Sequence, residues 1–358
     1  MKSEANNTLP KKQLFSLQQD LSKWEKATDS EKASREEMGA SVTLFKDGIR
    51  KLKKNRLAMG SFFVLVIMLA VILFAPIIVP YSYDEILTIN GERDIGAQNL
   101  KPLTFSETEK AYIAQGNFRF PHLMGTDSQC RDYFIRVVYG TRISFMVGIF
   151  ASLIVLIVGL FFGSIAGYFG GFADMLIMRI VDIIYSVPDM LIIILLSVAL
   201  NESINLQGIP VLENLGTNML SMFLVFGLFY WVSMARLIRG QILTVKQNDY
   251  VTAAYNLGAK PGWIIRKHIL PNCLSIIIVS TTLEIPSAIF TESYLSFIGL
   301  GVQAPMPSLG SLANTAMSAI TTYPFQMIFP SLVICLIVLS LNLLGDGLRD
   351  AFDPKLKR

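Results

Sequence analysis

Histidine is nearly missing: His122 and His268 are the only two in 358 residues. They are expected on opposite sides of a membrane, which leaves no histidine-based metal site. Cysteine is also scarce. Cys130, Cys273 and Cys335 are odd in number and two sit inside apolar runs, which excludes a disulfide framework. No G-x-x-x-x-G-K-[ST] segment occurs, so the chain has no P-loop cradle for nucleotide phosphates, and ATP-driven work would need another subunit. The largest shortage is of charge. Charged residues make up 16% of the chain against 52% hydrophobic, where a soluble domain carries about a quarter, spread over its surface. The few charges cluster and leave long stretches bare, as expected of an integral membrane protein.

A hydrocarbon core about 30 Å thick needs roughly 20 apolar residues per crossing helix. Six runs meet that length, at about 57–80, 139–168, 174–200, 216–238, 273–297 and 325–347. No short basic leader with a small-residue cleavage site precedes the first, which is expected to stay as an anchor. Lys and Arg are retained on the cytoplasmic side. They gather before the first run (Lys46, Arg50, Lys51, Lys53, Lys54, Arg56), between the fourth and fifth (Arg236, Arg239, Lys246, Lys260, Arg266, Lys267) and in the tail (Arg349, Lys355, Lys357, Arg358). By contrast, 201–215 has acids but no Lys or Arg, and 298–324 has no charge at all. The expected arrangement is six crossings of a lipid bilayer with both termini cytoplasmic.

Residues 1–45 form a polar cytoplasmic tail in which Leu14, Leu17, Leu21 and Trp24 recur at helical spacing. That stripe fits an amphipathic helix on the inner leaflet or a partner, or a disordered tail with one marginal helix. Residues 46–80 are a basic flank and the first transmembrane helix. Loop 81–138 is too long for a plain connector, and a small extracytoplasmic subdomain is expected there. Residues 139–348 hold the remaining five helices and 349–358 a basic tail.

Within the cytoplasmic loop 241–272, Tyr250, Ala253, Ala254 and Leu257 fall at i, i+3, i+4 and i+7, giving a short helix one apolar face. Gly258 suits a left-handed helix end, and Pro261 suits the first turn of a second helix. That second helix carries Trp263 and is expected to end before Leu270-Pro271. Small side chains at 253 and 254 allow close approach by a docked partner. Periodicity alone fits an amphipathic interfacial loop as well.

Thr252-Ala-Ala-Tyr-Asn-Leu-Gly258, with Leu270-Pro271 following, resembles the EAA loop of ABC importer permeases, with Thr252 at the usual Glu. GTDSQCRDYFIRVVYGTRISFMVG, Gly125 to Gly148, resembles the G-T-D-x-x-G-R-D signature of the C-type permease of dipeptide, oligopeptide and nickel importers, with Cys130 at a usual glycine. ESYLSFIGLGVQAPMPSLGSL, Glu292 to Leu312, resembles a third block of the same subunit. The likeness covers roughly residues 45–358. It implies the type I importer permease fold, an all-α membrane protein of six helices with a cytoplasmic coupling helix. It also implies partners: a homologous second permease, two P-loop ATPases that bind the ATP and Mg, and an extracytoplasmic peptide-binding protein. This chain would be non-catalytic, bind no cofactor or nucleic acid, and sit in the cytoplasmic membrane of a prokaryote. Thr252, Ala253, Ala254, Leu257, Gly258, Pro261, Trp263, Leu270 and Pro271 would form the coupling segment.

Charges within runs are functional candidates by default. Asp174, Arg179 and Asp182 fit a structural ion pair, with Arg179 and Asp182 at i, i+3. Asp189 follows Pro188, and Glu284 and Glu292 share one helix face around Pro286. These three acids are candidates for a translocation path, with a packing role equally open to Glu292. Gly159, Gly163 and Gly167 form a small-xxx-small face for close packing on this chain or a partner. Pro188, Pro286 and Pro330 mark kinks or broken turns. The alternatives are a permease for nickel or another small solute, a secondary transporter, and a membrane sensor or scaffold.

Overall fold

The computed structural model describes residues 44–203, 217–302 and 306–352. The expected N-terminal stripe, much of the 201–215 loop and the basic tail beyond 352 lie outside them. Contacts divide the chain into units 1–46 and 47–358, and the packing described below belongs to the second.

Helix α1 (Leu44–Lys54) is amphipathic, and Asn55 starts α2 (Arg56–Ile78) by accepting from the amides of Leu57 and Ala58. A β-hairpin follows, β1 (Thr88–Ile89) with β2 (Glu92–Arg93), turned by Asn90 and Gly91 at φ +55° and +85°. Next come a single 3₁₀ turn (Ile95–Ala97), α3 (Glu107–Ala114) and the long α4 (Tyr133–Phe169). Then come α5 (Gly171–Ser186), α6 (Asp189–Ser203) and α7 (Thr217–Val225), the last running through a π-helical turn (Phe226–Tyr230) into α8 (Trp231–Lys246). Helices α9 (Asp249–Asn256) and α10 (Pro261–Ile264) precede a second π turn (Ile265–Ile269), α11 (Leu270–Phe297), α12 (Leu309–Met317) and α13 (Phe325–Phe352).

Among the described residues five helical stretches are long and apolar enough to cross a membrane: 56–78, 133–169, 219–246, 261–297 and 325–352. The run 174–200 is instead two helices of 16 and 15 residues, separated at Val187-Pro188. Proline disfavours helical geometry in the residue before it, and Val187 is accordingly extended at φ −95°, ψ 137°. Pro286 and Pro330 remain inside continuous helices.

The glycine face of α4 packs on α8 of the same chain. A Cβ at Gly159 would lie 2.7 Å from the Cβ of Met234, one at Gly163 2.7 Å from the Ala235 carbonyl oxygen, and one at Gly167 2.9 Å from the Cβ of Ile242. Absent side chains let the two backbones approach. Cores of Met234, Ile238 and Ile242 on one side and Ala166, Val181 and Ala235 on the other flank the seam.

The segment between α2 and α4 is folded around a polar centre. His122, fully buried, bridges Asp132 (Nδ1 to Oδ2, 2.7 Å) and Glu109 (Nε2 to Oε1, 3.1 Å) and stacks on Tyr81. Glu109 also closes a capping box with Ser106 at the start of α3, and Asp132 caps α4. Burial alone would depress the His122 pKa, but hydrogen bonds and attraction from the two carboxylates outweigh it and raise the value to about 9. Cys130 is buried beside Leu87, Ala97 and Ile135, with φ at +60°.

Candidate functional site

Helix α9 begins after Asn248 and ends in a Schellman motif, in which Ala259 N–H donates to the Ala254 carbonyl (3.2 Å) and Gly258 N–H to that of Tyr255 (2.9 Å). Gly258 takes φ +82° with no atom within 4 Å of where a Cβ would stand, so the turn needs glycine for its backbone and not for space. Lys260 is extended, and Pro261 opens α10. The expected stop before Leu270-Pro271 does not occur. The chain runs from α10 through the π turn straight into α11, with Pro271 in the first turn of that helix. The Asn272 side chain donates to the His268 carbonyl there (2.6 Å).

This segment has two faces. Val251, Ala254, Ile264 and Ile269 turn inward, joining Ile242, Cys273 and Ile277 in one core. Tyr250, Tyr255, Leu257 and Trp263 stand outward, Leu257 at 88% exposure, with Thr252 and Ala253 beside them. The sequence grouped Ala253 and Ala254 as one docking surface, whereas here they part: Ala253 is exposed and Ala254 buried. Successive helical residues differ by about 100°, and Val251, one turn before Ala254, draws that side into the core.

The expected Arg179–Asp182 pairing is absent among the described residues. Asp174 is held instead by two nitrogens of Arg239, Nη2 to Oδ2 at 2.6 Å, and Asp182 by Nη2 of Arg236 at 2.7 Å. Both pairs join α5 to α8, and Arg236 also lies over the Tyr185 ring at 4.6 Å. Arg236 and Arg239 entered the sequence reading only as topology signals. Their i, i+3 spacing put both on one helix face and could have marked them as partners for a facing acidic helix.

The translocation candidates separate. Glu292 is fully buried and accepts hydrogen bonds from Ser144 of α4 (2.7 Å), Ser296 (2.7 Å) and Ser293 (3.3 Å), while Ser296 Oγ accepts from the Val302 amide. It is a packed joint between α4, α11 and the chain leading to α12. Glu284, two turns earlier, lines a cavity of about 530 Å³ with Tyr185, Pro188, Phe229, Ser233 and Ser287 among its other walls. Asp189 begins α6, but its side chain is outside what is described. The break at Val187-Pro188 and the π turn at 226–230 both border this cavity. Of these only Pro188 could be read in the sequence.

Known proteins can be set beside this geometry. Residues 159–358 match the family described as binding-protein-dependent transport system inner membrane component, and residues 43–102 match the N-terminal TM domain of oligopeptide transport permease C. The oligopeptide transport system permease protein OppC of Bacillus subtilis is 36% identical over 93% of this chain and 95% of its own length. The dipeptide transport system permease protein DppC of the same organism is 39% identical over 89% of this chain and 88% of its own. The glutathione transport system permease protein GsiD of Pectobacterium atrosepticum is 42% identical over 66% of this chain and 73% of its own. With matches of this extent joined to five membrane-length apolar helices, the chain belongs to the family of binding-protein-dependent transport system inner membrane components, the non-catalytic permease subunits of ABC transporters, as a multi-pass inner membrane protein of the oligopeptide permease C type.

Proposed function

We propose that this chain is one of two homologous permeases in a peptide importer driven by a pair of P-loop ATPases and supplied by an extracytoplasmic peptide-binding protein. ATP and Mg bind to the ATPases, and this chain binds no cofactor. Both termini and the 249–272 segment face the cytoplasm, as the distribution of Lys and Arg favours. The short helices α5 and α6 together make a sixth crossing, bent at Pro188. The peptide passes by the cavity beside Glu284.

The observation that carries this reading is the two-faced coupling segment. Its inner face is fastened to α8 and α11 by Val251, Ala254 and Ile264, while Tyr255, Leu257 and Trp263 form an exposed apolar ridge. An apolar ridge in water lowers its free energy by entering a cleft of a partner, and its firm backing passes a push on the ridge to the crossing helices. Closure of the ATPase pair would move the ridge and reorient the bundle, ATP binding acting as the ligand that favours one of two global states.

The test is cysteine crosslinking in native membranes from Ala253→Cys, an exposed position, to cysteines on the co-purifying ATPase. Cys335 is the exposed native thiol and is first replaced by Ser. Crosslinks that change with nucleotide are expected. No crosslink from Ala253→Cys or Leu257→Cys, with the ATPase present in the sample, overturns the coupling reading.

A further inference from the structure

The acids within the helical bundle are not alike. Asp174 is held by Arg239 and Glu292 by three serines. Glu284 has neither ion pair nor hydrogen bond among the described residues, although it is partly buried in the apolar length of α11. A charge in such a place is retained at a cost of several kcal/mol unless something compensates it. What it faces is the cavity of about 530 Å³, a volume in the range that holds small-molecule ligands.

The walls suit one class of ligand. Phe229 and Tyr230 bring aromatic rings, whose faces attract cations, beside Tyr185, whose ring already carries Arg236, and Ser233 and Ser287 add hydroxyls that can accept from N–H donors. Glu284 is the one charged side chain among the described residues of the lining. A single carboxylate with hydroxyls and aromatic rings is a poor donor set for nickel, which binds imidazole or thiolate more readily. The same set suits an organic ammonium or guanidinium, which gains a charge-assisted hydrogen bond in surroundings of low dielectric. The extended Val187 next to Pro188 and the π turn at 226–230 leave irregular backbone at the same wall, tolerated at membrane depth where it borders a cavity.

We infer that Glu284 binds a cationic group of the solute in transit: the free α-ammonium of a peptide, or the side chain of a Lys or Arg within it. This rests on the reading of the cavity as the peptide's path. It adds a selectivity step inside the membrane, separate from any exerted by the binding protein.

The test uses the purified complex of both permeases and both ATPases, without the binding protein, and three tripeptides ending in photoreactive benzoylphenylalanine. One has a free amino terminus and two alanines, one is its N-acetylated form, and one is N-acetylated with lysine in first place. The free-amine peptide is expected to label this chain about tenfold or more above the acetylated form, as for one charge-assisted hydrogen bond. The acetyl-lysyl peptide recovers labelling if any organic cation suffices, and stays low if the site takes only the α-ammonium. Glu284→Gln is expected to bring the free-amine and acetylated peptides within about twofold of each other. Equal labelling of those two by the unaltered complex overturns the inference, and that arm needs no variant to assemble. Discrimination that persists in Glu284→Gln also overturns it. Absence of labelling by all three peptides, in a complex that hydrolyses ATP, removes the peptide path and this inference together. Nucleotide-dependent crosslinks at Ala253→Cys would still stand in that case.

Discussion

Cys130 occupies a left-handed backbone conformation, φ +60°, at a position where the similar permease signature carries glycine. A side chain there costs roughly 1 kcal/mol or more in strain, and the thiol offsets part of that by filling a fully buried place beside Leu87 and Ile135. Cys130→Gly exchanges one effect for the other and should shift stability by less than about 1 kcal/mol. Cys130→Ala keeps the strain and loses the packing, so it should be the more harmful, by about 1 kcal/mol. Protease resistance of the 81–132 segment during a thermal ramp distinguishes the two. The sequence marked this residue through its motif, but its burial depends on a core that includes Leu87 and Ala97, far back along the chain, and could not be read.

His122 carries a pH prediction for the same segment. Its folded pKa of about 9 lies above the ordinary 6.5. The stabilisation it gives is therefore fully present below about 6.5 and is lost as pH rises through about 9. Glu109 has the opposite sign: burial would raise its pKa, the hydrogen bonds from His122 and Ser106 override that and lower it below 4.5, and its contribution fades as pH falls through that lower value. Thermal resistance of the 81–132 segment to protease should thus decline from pH 7 to 9.5, and His122→Gln should flatten the decline. An unchanged slope in that variant would remove His122 as the cause.

At the scale of elements, two glycines show how different demands share one residue type. Gly258 has open space around it and an unusual φ, and Gly163 has ordinary helical geometry and no space. Gly258→Ala should cost about 1 kcal/mol locally and leave assembly of the complex intact, whereas Gly163→Ala drives a methyl group against the Ala235 carbonyl and should cost about 1–3 kcal/mol of α4–α8 packing. Yield of intact complex after detergent extraction should fall for Gly163→Ala alone. Both glycines were legible, one from its place after a helical period and the other from four-residue spacing. The partner of the glycine face was not, because spacing along one helix carries no information about what lies opposite. The π turns were likewise hidden, since no local signature in the sequence marks the wider ring.

For the molecule as a whole, the ion pairs define a path of rigid connection. Helix α8 ends at Lys246, three residues before α9, and is fixed along α4 by the glycine seam and to α5 by Asp174–Arg239 and Asp182–Arg236. If the 249–272 segment moves as proposed, these pairs pass the movement from α8 to α5, while α6, which packs on α7, is separated from α5 by the extended Val187 at the cavity wall. On this view the pairs carry motion as much as they add stability, and breaking one should uncouple ATP hydrolysis from uptake before it unfolds anything. The bidentate Asp174–Arg239 pair is the place to test it. Asp174→Arg and Arg239→Asp should each lower the peptide imported per ATP hydrolysed, since each leaves two like charges facing one another. Together they restore opposite signs and should recover most of the coupling, with an interaction energy of about 1–2 kcal/mol in the cycle. If the double variant is no better than the sum of the singles, the pair is a passive contact, and transmission to α5 must run through Asp182–Arg236 and the packing of Ile177 and Val181 on Trp231, Val232 and Ala235.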